Sequence, residues 1–169
     1  MDQNLENNKS FKDKTSLFFN QNKLKIIFLI FIIFLVIIFF LYLNINNEKK
    51  NNLISEKYIQ AGIYLSSGQR TKSTKIYENI ILSKNKFYSI LALNTILEKQ
   101  LVSDQKKILN YFEVIEGLDI PTDRKDLILL KKSLYLMKNS KQKKAKKILK
   151  ELVEKNSKFK NLANEILSE

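Results

Sequence analysis

The apolar residues divide the chain into an N-terminal run without polar positions and a longer part with helical periodicity. The run Ile26–Leu43 contains no charge, glycine or proline. As a helix it would extend about 27 Å, close to the thickness of a bilayer's hydrocarbon core. A core helix of a soluble protein would carry a polar stripe, which this run lacks. We therefore predict a transmembrane helix over residues 24–44, preceded by a tail over residues 1–23.

The flanks of the run favour an uncleaved anchor over a cleaved signal peptide. The segment before it, Met1–Lys25, is long for the charged region of a signal peptide, and Asn44–Lys50 lacks the small side chains that signal peptidase requires. More lysines precede the run than follow it closely, which predicts a cytoplasmic N-terminus and a periplasmic C-terminal domain in a bacterial inner membrane. The two sets are Lys9, Lys12, Lys14, Lys23 and Lys25 before it, and Lys49, Lys50 and Lys57 after it.

Beyond Asn44 the apolar positions recur at helical spacing, and no stretch alternates as a strand would. We predict an all-α domain over residues 53–169, joined to the anchor by a linker over residues 45–52. Seven helices of about 10–16 residues would form an antiparallel array. The predicted apolar faces are Ile54/Tyr58/Ala61/Leu65, Ile76/Tyr77/Ile80/Ile81, most of Phe87–Leu101, Ile108/Leu109/Phe112/Ile115, Leu127/Leu130/Leu134/Met137, Ala145/Ile148/Leu149/Leu152/Val153 and Phe159/Leu162/Ala163/Ile166.

Two local signals mark helix boundaries in the middle of this domain. Ser103 is a candidate N-cap for the fourth helix, with Asp104 in its first turn. The segment Gly117–Thr122 contains a glycine and the single proline, and it predicts a break before the fifth helix.

A sequence period of roughly 34 residues would indicate tetratricopeptide-like helix pairs. Two sets of residues follow that pattern of small, bulky and turn positions, and the second set begins at Ser133 where the first begins at Ala61, about two such periods later. The middle unit, at about residues 87–120, fits poorly because its register falls on Leu97, Leu109 and Glu113. The predicted packing positions are Ala61, Tyr64, Gly68, Ser73 and Tyr77 in the first unit, and Ser133, Leu136, Ser140, Ala145, Leu149 and Leu152 in the last.

Composition argues against an enzyme. The chain has no cysteine and no histidine, which removes thiolate nucleophiles, the usual general base and the commonest metal ligands. Three glycines leave little material for phosphate-binding loops. We predict no catalytic, cofactor-binding or metal-binding residue.

The positive charge has two interpretations: an acidic partner, or a genome rich in adenine and thymine, whose codons favour the lysine, asparagine and isoleucine that are abundant here. Thirty lysines and arginines stand against 17 acids, for a formal net charge of +13. Such an excess would suit an acidic partner, but only Arg70 and Arg124 supply arginine, which nucleic-acid binders favour. We therefore predict no nucleic-acid binding.

Three groups of residues remain as candidate sites. The lysines between Lys141 and Lys150 either attract anionic lipid or acidic proteins or form a solvated helix face, and we favour the solvated face. The acidic pairs Glu113/Glu116 and Asp119/Asp123 flank a helix end and a turn, where solvation explains them better than metal binding. Tyr58 is the aromatic residue that we leave as a candidate for a partner groove.

Three segments carry a resemblance to a known family. Lys86–Ala92, Arg124–Leu130 and Phe159–Leu167 are similar to helices of the tetratricopeptide-like ancillary subunit of the bacterial Sec translocon. The chain departs from that family in having few alanines and in having Phe159 where the family has tryptophan. The resemblance implies a non-enzymatic scaffold whose partners are translocon subunits, periplasmic chaperones or exported chains, and self-association stays open.

Two other functions remain as alternatives. One is a structural stalk or a cell-envelope assembly factor, which would follow its anchor with one long charged helix; the breaks at Gly68 and Gly117–Thr122 favour a compact array instead. The other is an enzyme that uses lysine, tyrosine, serine and carboxylates, for which no Ser-x-x-Lys or Lys-Thr-Gly arrangement is present.

Overall fold

The computed structural model describes residues 22–168, without the side chains of Ile26 and of residues 43–47. Most of the predicted tail, residues 1–23, lies outside the described residues. Within the described part every regular element is an α-helix, and none is a strand. The chain divides into two compact units between Lys50 and Asn51, which are described separately below.

Seven helices follow one another within residues 22–168. They are α1 (Lys23–Ser66), α2 (Arg70–Leu82), α3 (Tyr88–Glu98), α4 (Gln105–Glu116), α5 (Thr122–Lys138), α6 (Gln142–Glu154) and α7 (Lys160–Ser168).

The first unit consists, in its described part, of the N-terminal portion of α1. Residues Lys23–Tyr42 of this helix have a mean hydropathy of 3.4, and none of that window is buried. Its length and composition suffice to cross a membrane. This stretch agrees with the predicted apolar anchor within two residues at its C-terminal end.

The predicted linker is the first difference from the sequence interpretation. Residues 45–52 are helical, because α1 continues from the apolar segment to Ser66 without a break. The sequence between Asn44 and Asn52 contains no glycine or proline, and asparagine, glutamate and lysine cost little in a helix. The first of the seven predicted helices is therefore the C-terminal part of α1.

The second unit is an array of antiparallel helices, as the contacts between helix ends indicate. At one end, the Asn85 side-chain amide donates to the Asn51 oxygen at 2.7 Å and Lys86 pairs with Asp119 at 2.8 Å. At the opposite end, Arg70 donates to the Lys99 carbonyl at 2.9 Å. We name the first end the Asn51 end and the opposite one the Lys99 end.

Two apolar clusters form the core of this unit. The larger one joins the C-terminal part of α1 to α2, α3, α4 and the start of α5, and its centre contains Ile80, Phe112 and Ile115. The smaller one joins α5, α6 and α7 around Leu149, Leu152 and Ala163. The most extensive helix pairings are α5 with α6, α2 with α3, and α6 with α7.

The first and last hairpins end their helices in the same way, at positions that correspond in the two predicted repeat units. The Gln69 N–H donates to the Tyr64 carbonyl at 2.8 Å, and the Lys141 N–H donates to the Leu136 carbonyl at 2.9 Å. Such bonds close a helix over a residue with positive φ, here Gly68 at 76° and Ser140 at 57°. The second helices of these hairpins, α2 and α6, end just before Lys84 and Asn156, which also have positive φ. Lys84 and Asn156 are as far apart along the chain as Gly68 and Ser140.

The middle hairpin has the same helix ending but a longer loop. Leu101 N–H donates to the Ile96 carbonyl at 3.0 Å, with Gln100 at a φ of 49°. The next helix then starts at Gln105, and its first buried residue, Ile108, comes eight residues after Gln100. In the outer hairpins the corresponding separation is five residues, as from Gly68 to Ser73. One fixed period misplaces the middle unit because its helix ending at Gln100 comes 32 residues after Gly68 (100 − 68) but 40 residues before Ser140 (140 − 100).

Two predicted details differ in the structure. Asp104, not Ser103, is the N-cap of α4, because its carboxylate accepts from the N–H of Lys106 at 2.8 Å. The predicted face of α5 is also wrong in part: Leu127 and Leu134 are exposed. The buried residues of α5 are instead Asp126, Ile128, Leu130, Ser133 and Leu136.

Candidate binding groove

A groove of about 510 Å³ lies between α3 and α5, near the Lys99 end of the array. Ile96 and Leu97 of α3, Val102 of the following loop and Ile108 of α4 supply apolar surface. Its size falls within the range of ordinary ligand pockets, which have apolar walls and a few polar groups. The remaining lining residues are Asn94, Glu98, Gln100, Ser103, Lys131, Leu134, Tyr135, Lys138 and Asn139.

Hydrogen bonds between side chains connect the walls of the groove. Lys131 Nζ on α5 donates to Asn94 Oδ1 on α3 at 2.7 Å. At the C-terminal end of α5, Asn139 Oδ1 accepts from Gln105 Nε2 of α4 at 2.7 Å. Both bonds are partly buried, where a hydrogen bond contributes about 1 kcal/mol. They connect α5 to its neighbours, so the groove is pre-formed.

The α5 wall combines apolar and cationic side chains. Leu134 is 45% exposed although it lies in a helix with a well-packed opposite face. Tyr135 packs on Phe112 with 6.0 Å between the ring centroids, and burial together with Asp104 raises its pKa. Lys138 stands one turn beyond Leu134 and is exposed. The α5 wall is therefore apolar and positively charged, whereas Glu98 adds a negative charge from the α3 wall.

Tyr58, the predicted groove residue, lies elsewhere. Its ring packs against Tyr77 and Tyr88, with centroid separations of 5.4 and 5.8 Å. Its hydroxyl is 3.1 Å from Thr95 Oγ1, in a hydrogen bond that connects α1 to α3. Tyr58 does not line this groove, and its ring is half-buried in an aromatic cluster, so a role in binding a partner stays a prediction for this residue.

The predicted packing positions lie mostly in the core. Tyr64 is half-buried beneath Lys72, whose Nζ is 5.5 Å from the ring centroid, and Gly68 forms the exposed turn after α1. The others are between 0% and 2% exposed: Ala61, Ser73, Tyr77, Ser133, Leu136, Ala145, Leu149 and Leu152. They place small residues where helices approach closely, as the sequence pattern requires.

The lysine-rich segment forms the outer surface of α6. Lys143, Lys144, Lys147 and Lys150 are exposed, whereas Ala145, Leu149 and Leu152 on the same helix are buried. One ion pair within α6 and its C-terminal turn joins Lys155 to Glu151 at 3.8 Å. This arrangement agrees with a solvated helix face.

Three of the four acidic residues that raised the possibility of a metal site pair with lysines. Glu116 pairs with Lys132 at 2.8 Å, and Lys86 beside Asp119 lowers the pKa of that carboxyl. Asp123 pairs with Lys158. Among the described residues, no group of three or more acidic side chains is arranged to hold a metal ion. These contacts connect successive helices.

The groove residues were not identified from the sequence. The sequence feature that could have indicated the groove is the excess of apolar residues on α5. Leu127 and Leu134 lie outside the face of α5 that is buried in the core. More apolar residues than one buried stripe requires indicate a second surface on a helix. Asn94 and Lys131, which meet across the groove, have no distinguishing sequence context.

Comparisons with known proteins give no relative for this chain. No protein-family model matches it, and neither a curated protein nor a solved structure shows a significant match.

Proposed function

We propose that the chain is a single-pass membrane-anchored scaffold that binds a polypeptide partner in the groove between α3 and α5. The groove itself carries the proposal: its surface is apolar, its charged lining residues are Lys131, Lys138 and Glu98, and side-chain hydrogen bonds connect its walls. Stacked helical hairpins commonly use such surfaces for protein binding. The matching partner segment has an apolar residue with acidic neighbours.

The apolar part of α1 supports the anchor in this proposal. Its 20 residues match the hydrocarbon thickness, and none of that window is buried within the described part of the chain. With the N-terminus in the cytoplasm, the array would lie in the periplasm of a bacterium. The resemblance to the translocon's ancillary subunit supports a position near the Sec machinery, with translocon subunits, chaperones or exported chains as partners.

The structural stalk is the weaker alternative. A stalk needs one long exposed helix, whereas the residues after Ser66 fold into six shorter helices with two apolar clusters. Antiparallel packing of this kind creates lateral surfaces rather than length. The scaffold also needs no catalytic group, which suits a chain without histidine or cysteine.

Site-specific photocrosslinking in cells tests the proposal. A photoreactive residue at Leu134, which is 45% exposed in the groove, should give a discrete crosslinked partner. The matched control is Leu162 on α7, which is 43% exposed and outside the groove, and it should not give that product. No adduct from Leu134, or the same adduct from both positions, would contradict the groove; adducts without any translocon or periplasmic protein would remove the translocon link.

A further inference from the structure

Three exposed apolar side chains lie at the Asn51 end of the array. Leu53 is 58% exposed, and Leu82 and Phe87 are each 53% exposed. Leu82 and Phe87 flank the turn between α2 and α3. Asn85 holds that turn to α1, because its amide donates to Asn51 at 2.7 Å.

The chain connectivity keeps this end close to the proposed anchor. Asn51 follows Tyr42, the last residue of the apolar segment, by nine residues. Even a fully extended stretch of nine residues reaches only about 30 Å, and a helical one is shorter. The turn that contains Leu82 and Phe87 is bonded to Asn51, the residue whose distance from the apolar segment is limited by these nine residues of chain.

Cationic side chains accompany the apolar ones. Lys84 is exposed at the tip of the turn, with a φ of 58°, and no described carboxylate lies within ion-pair distance of it. Lys86 pairs with Asp119, yet its side chain remains 62% exposed. Aromatic and aliphatic residues beside lysine are the combination that binds the interface of an anionic bilayer.

We propose that Leu53, Leu82, Lys84 and Phe87 form a membrane-docking corner that binds the anionic surface of the bilayer holding α1. This inference rests on the anchor of the proposed function but not on the groove. Phe87 and Leu82 enter the headgroup region, and Lys84 contacts lipid phosphates. Docking restrains the array against the bilayer, and the groove, near the opposite end, remains free for a partner.

Single-tryptophan fluorescence in vesicles tests the corner, since the chain has no tryptophan of its own. The full-length Phe87→Trp variant is reconstituted into vesicles of zwitterionic lipid with or without phosphatidylglycerol, with some acyl chains brominated near the headgroup. The expected result is about a twofold loss of emission in the anionic vesicles. The control variant Ile63→Trp places the probe on α1, at a site that is 59% exposed, and should keep its emission.

A charge variant and a flotation assay complete the test. Lys84→Gln should lower about fivefold the ratio of molecules whose array is docked on the bilayer to molecules whose array is not docked. Each lysine near an anionic surface changes such an equilibrium constant by roughly that factor. Lys143→Gln on the exposed face of α6 is the matched control and should leave the ratio unchanged. Unquenched Phe87→Trp emission in vesicles that carry the chain, or equal quenching of Ile63→Trp, would overturn the corner alone. A chain that fails to float with vesicles would overturn the anchor and the corner together.

Discussion

The buried ion pair between Asp126 and Lys155 gives the most quantitative prediction. Asp126 is 3% exposed near the start of α5, and Lys155 Nζ, just after α6, lies 2.6 Å from its Oδ1. That contact is an ion pair and not a well-aligned hydrogen bond. Burial raises the pKa of Asp126, but Lys155 and Ser157 outweigh it and leave the pKa below its ordinary value.

The two side chains of this ion pair differ in burial, so the two single variants should lose different amounts of free energy of unfolding. Lys155→Met leaves a carboxylate uncompensated at a site shielded from water, and we expect a loss of about 3 kcal/mol in the free energy of unfolding. Asp126→Asn leaves Lys155, whose side chain is 33% exposed and can reach solvent, so we expect about 1 kcal/mol. The larger loss corresponds to a fall in Tm of roughly 10 °C.

The pH dependence provides a second readout. The pKa of Asp126 is lower in the folded than in the unfolded protein, so its stabilisation is complete above the unfolded value of about 4 and is lost as the pH falls through the folded pKa. In Lys155→Met the burial effect dominates and the pKa of Asp126 rises. The difference in stability between wild type and this variant should therefore begin to narrow above about pH 4, as the variant protonates Asp126, and should narrow further below that pH, where wild type loses its own stabilisation.

The assay is thermal and urea unfolding of the full-length protein in detergent, followed by circular dichroism. Lys158→Met is the matched control, because Lys158 lies three residues from Lys155 and pairs with Asp123 at a site where both side chains are more than half exposed. We expect that variant to lose less than about 0.5 kcal/mol. Equal effects of Lys155→Met and Lys158→Met, or a larger loss in Asp126→Asn than in Lys155→Met, would refute the reasoning.

Three further predictions concern the helix ends and the core, all measured by the same unfolding assay. Gly68→Ala should cost about 1 kcal/mol because φ is 76°, whereas Ser140→Gly, at the corresponding turn, should not destabilise; equal losses would contradict the shared helix ending. Leu149→Ala should cost about 2–5 kcal/mol since its side chain is fully buried, and a loss below about 1 kcal/mol would contradict the α5–α6 packing. Tyr58→Phe should cost about 1 kcal/mol through the bond to Thr95 while leaving crosslinking from the groove unchanged; loss of crosslinking would return Tyr58 to the binding site.

The sequence pattern predicted the helical elements well because each helix of the array buries one face. Ala61, Ser73 and Tyr77 are buried, as are Ser133, Ala145 and Leu149, and the helix endings next to both sets have the same geometry. The middle register failed because the helix ending at Gln100 lies 32 residues after Gly68 (100 − 68) and 40 residues before Ser140 (140 − 100), so no single period fits all three hairpins.

Long-range contacts set the limits of prediction for the groove and for the aromatic residues. The sequence pattern allows Tyr58 to lie either in a groove or in the core. Only contacts between distant residues, with Thr95 of α3 and with Tyr77, show that it packs in an aromatic cluster. Asn94 and Lys131 are 37 residues apart, and no local pattern relates them. Residues 45–52, predicted as a linker, are helical, and the boundary between the two units falls inside them.

The central claim, that the apolar part of α1 anchors an external helical array, is tested most directly by combining alkaline extraction with protease protection. In spheroplasts of an expressing bacterium, a chain with a C-terminal epitope should stay in the membrane pellet at high pH. Protease added outside should then remove the epitope without lysis. Release of the chain into the alkaline supernatant, or an epitope protected until the cells are lysed, would contradict the account.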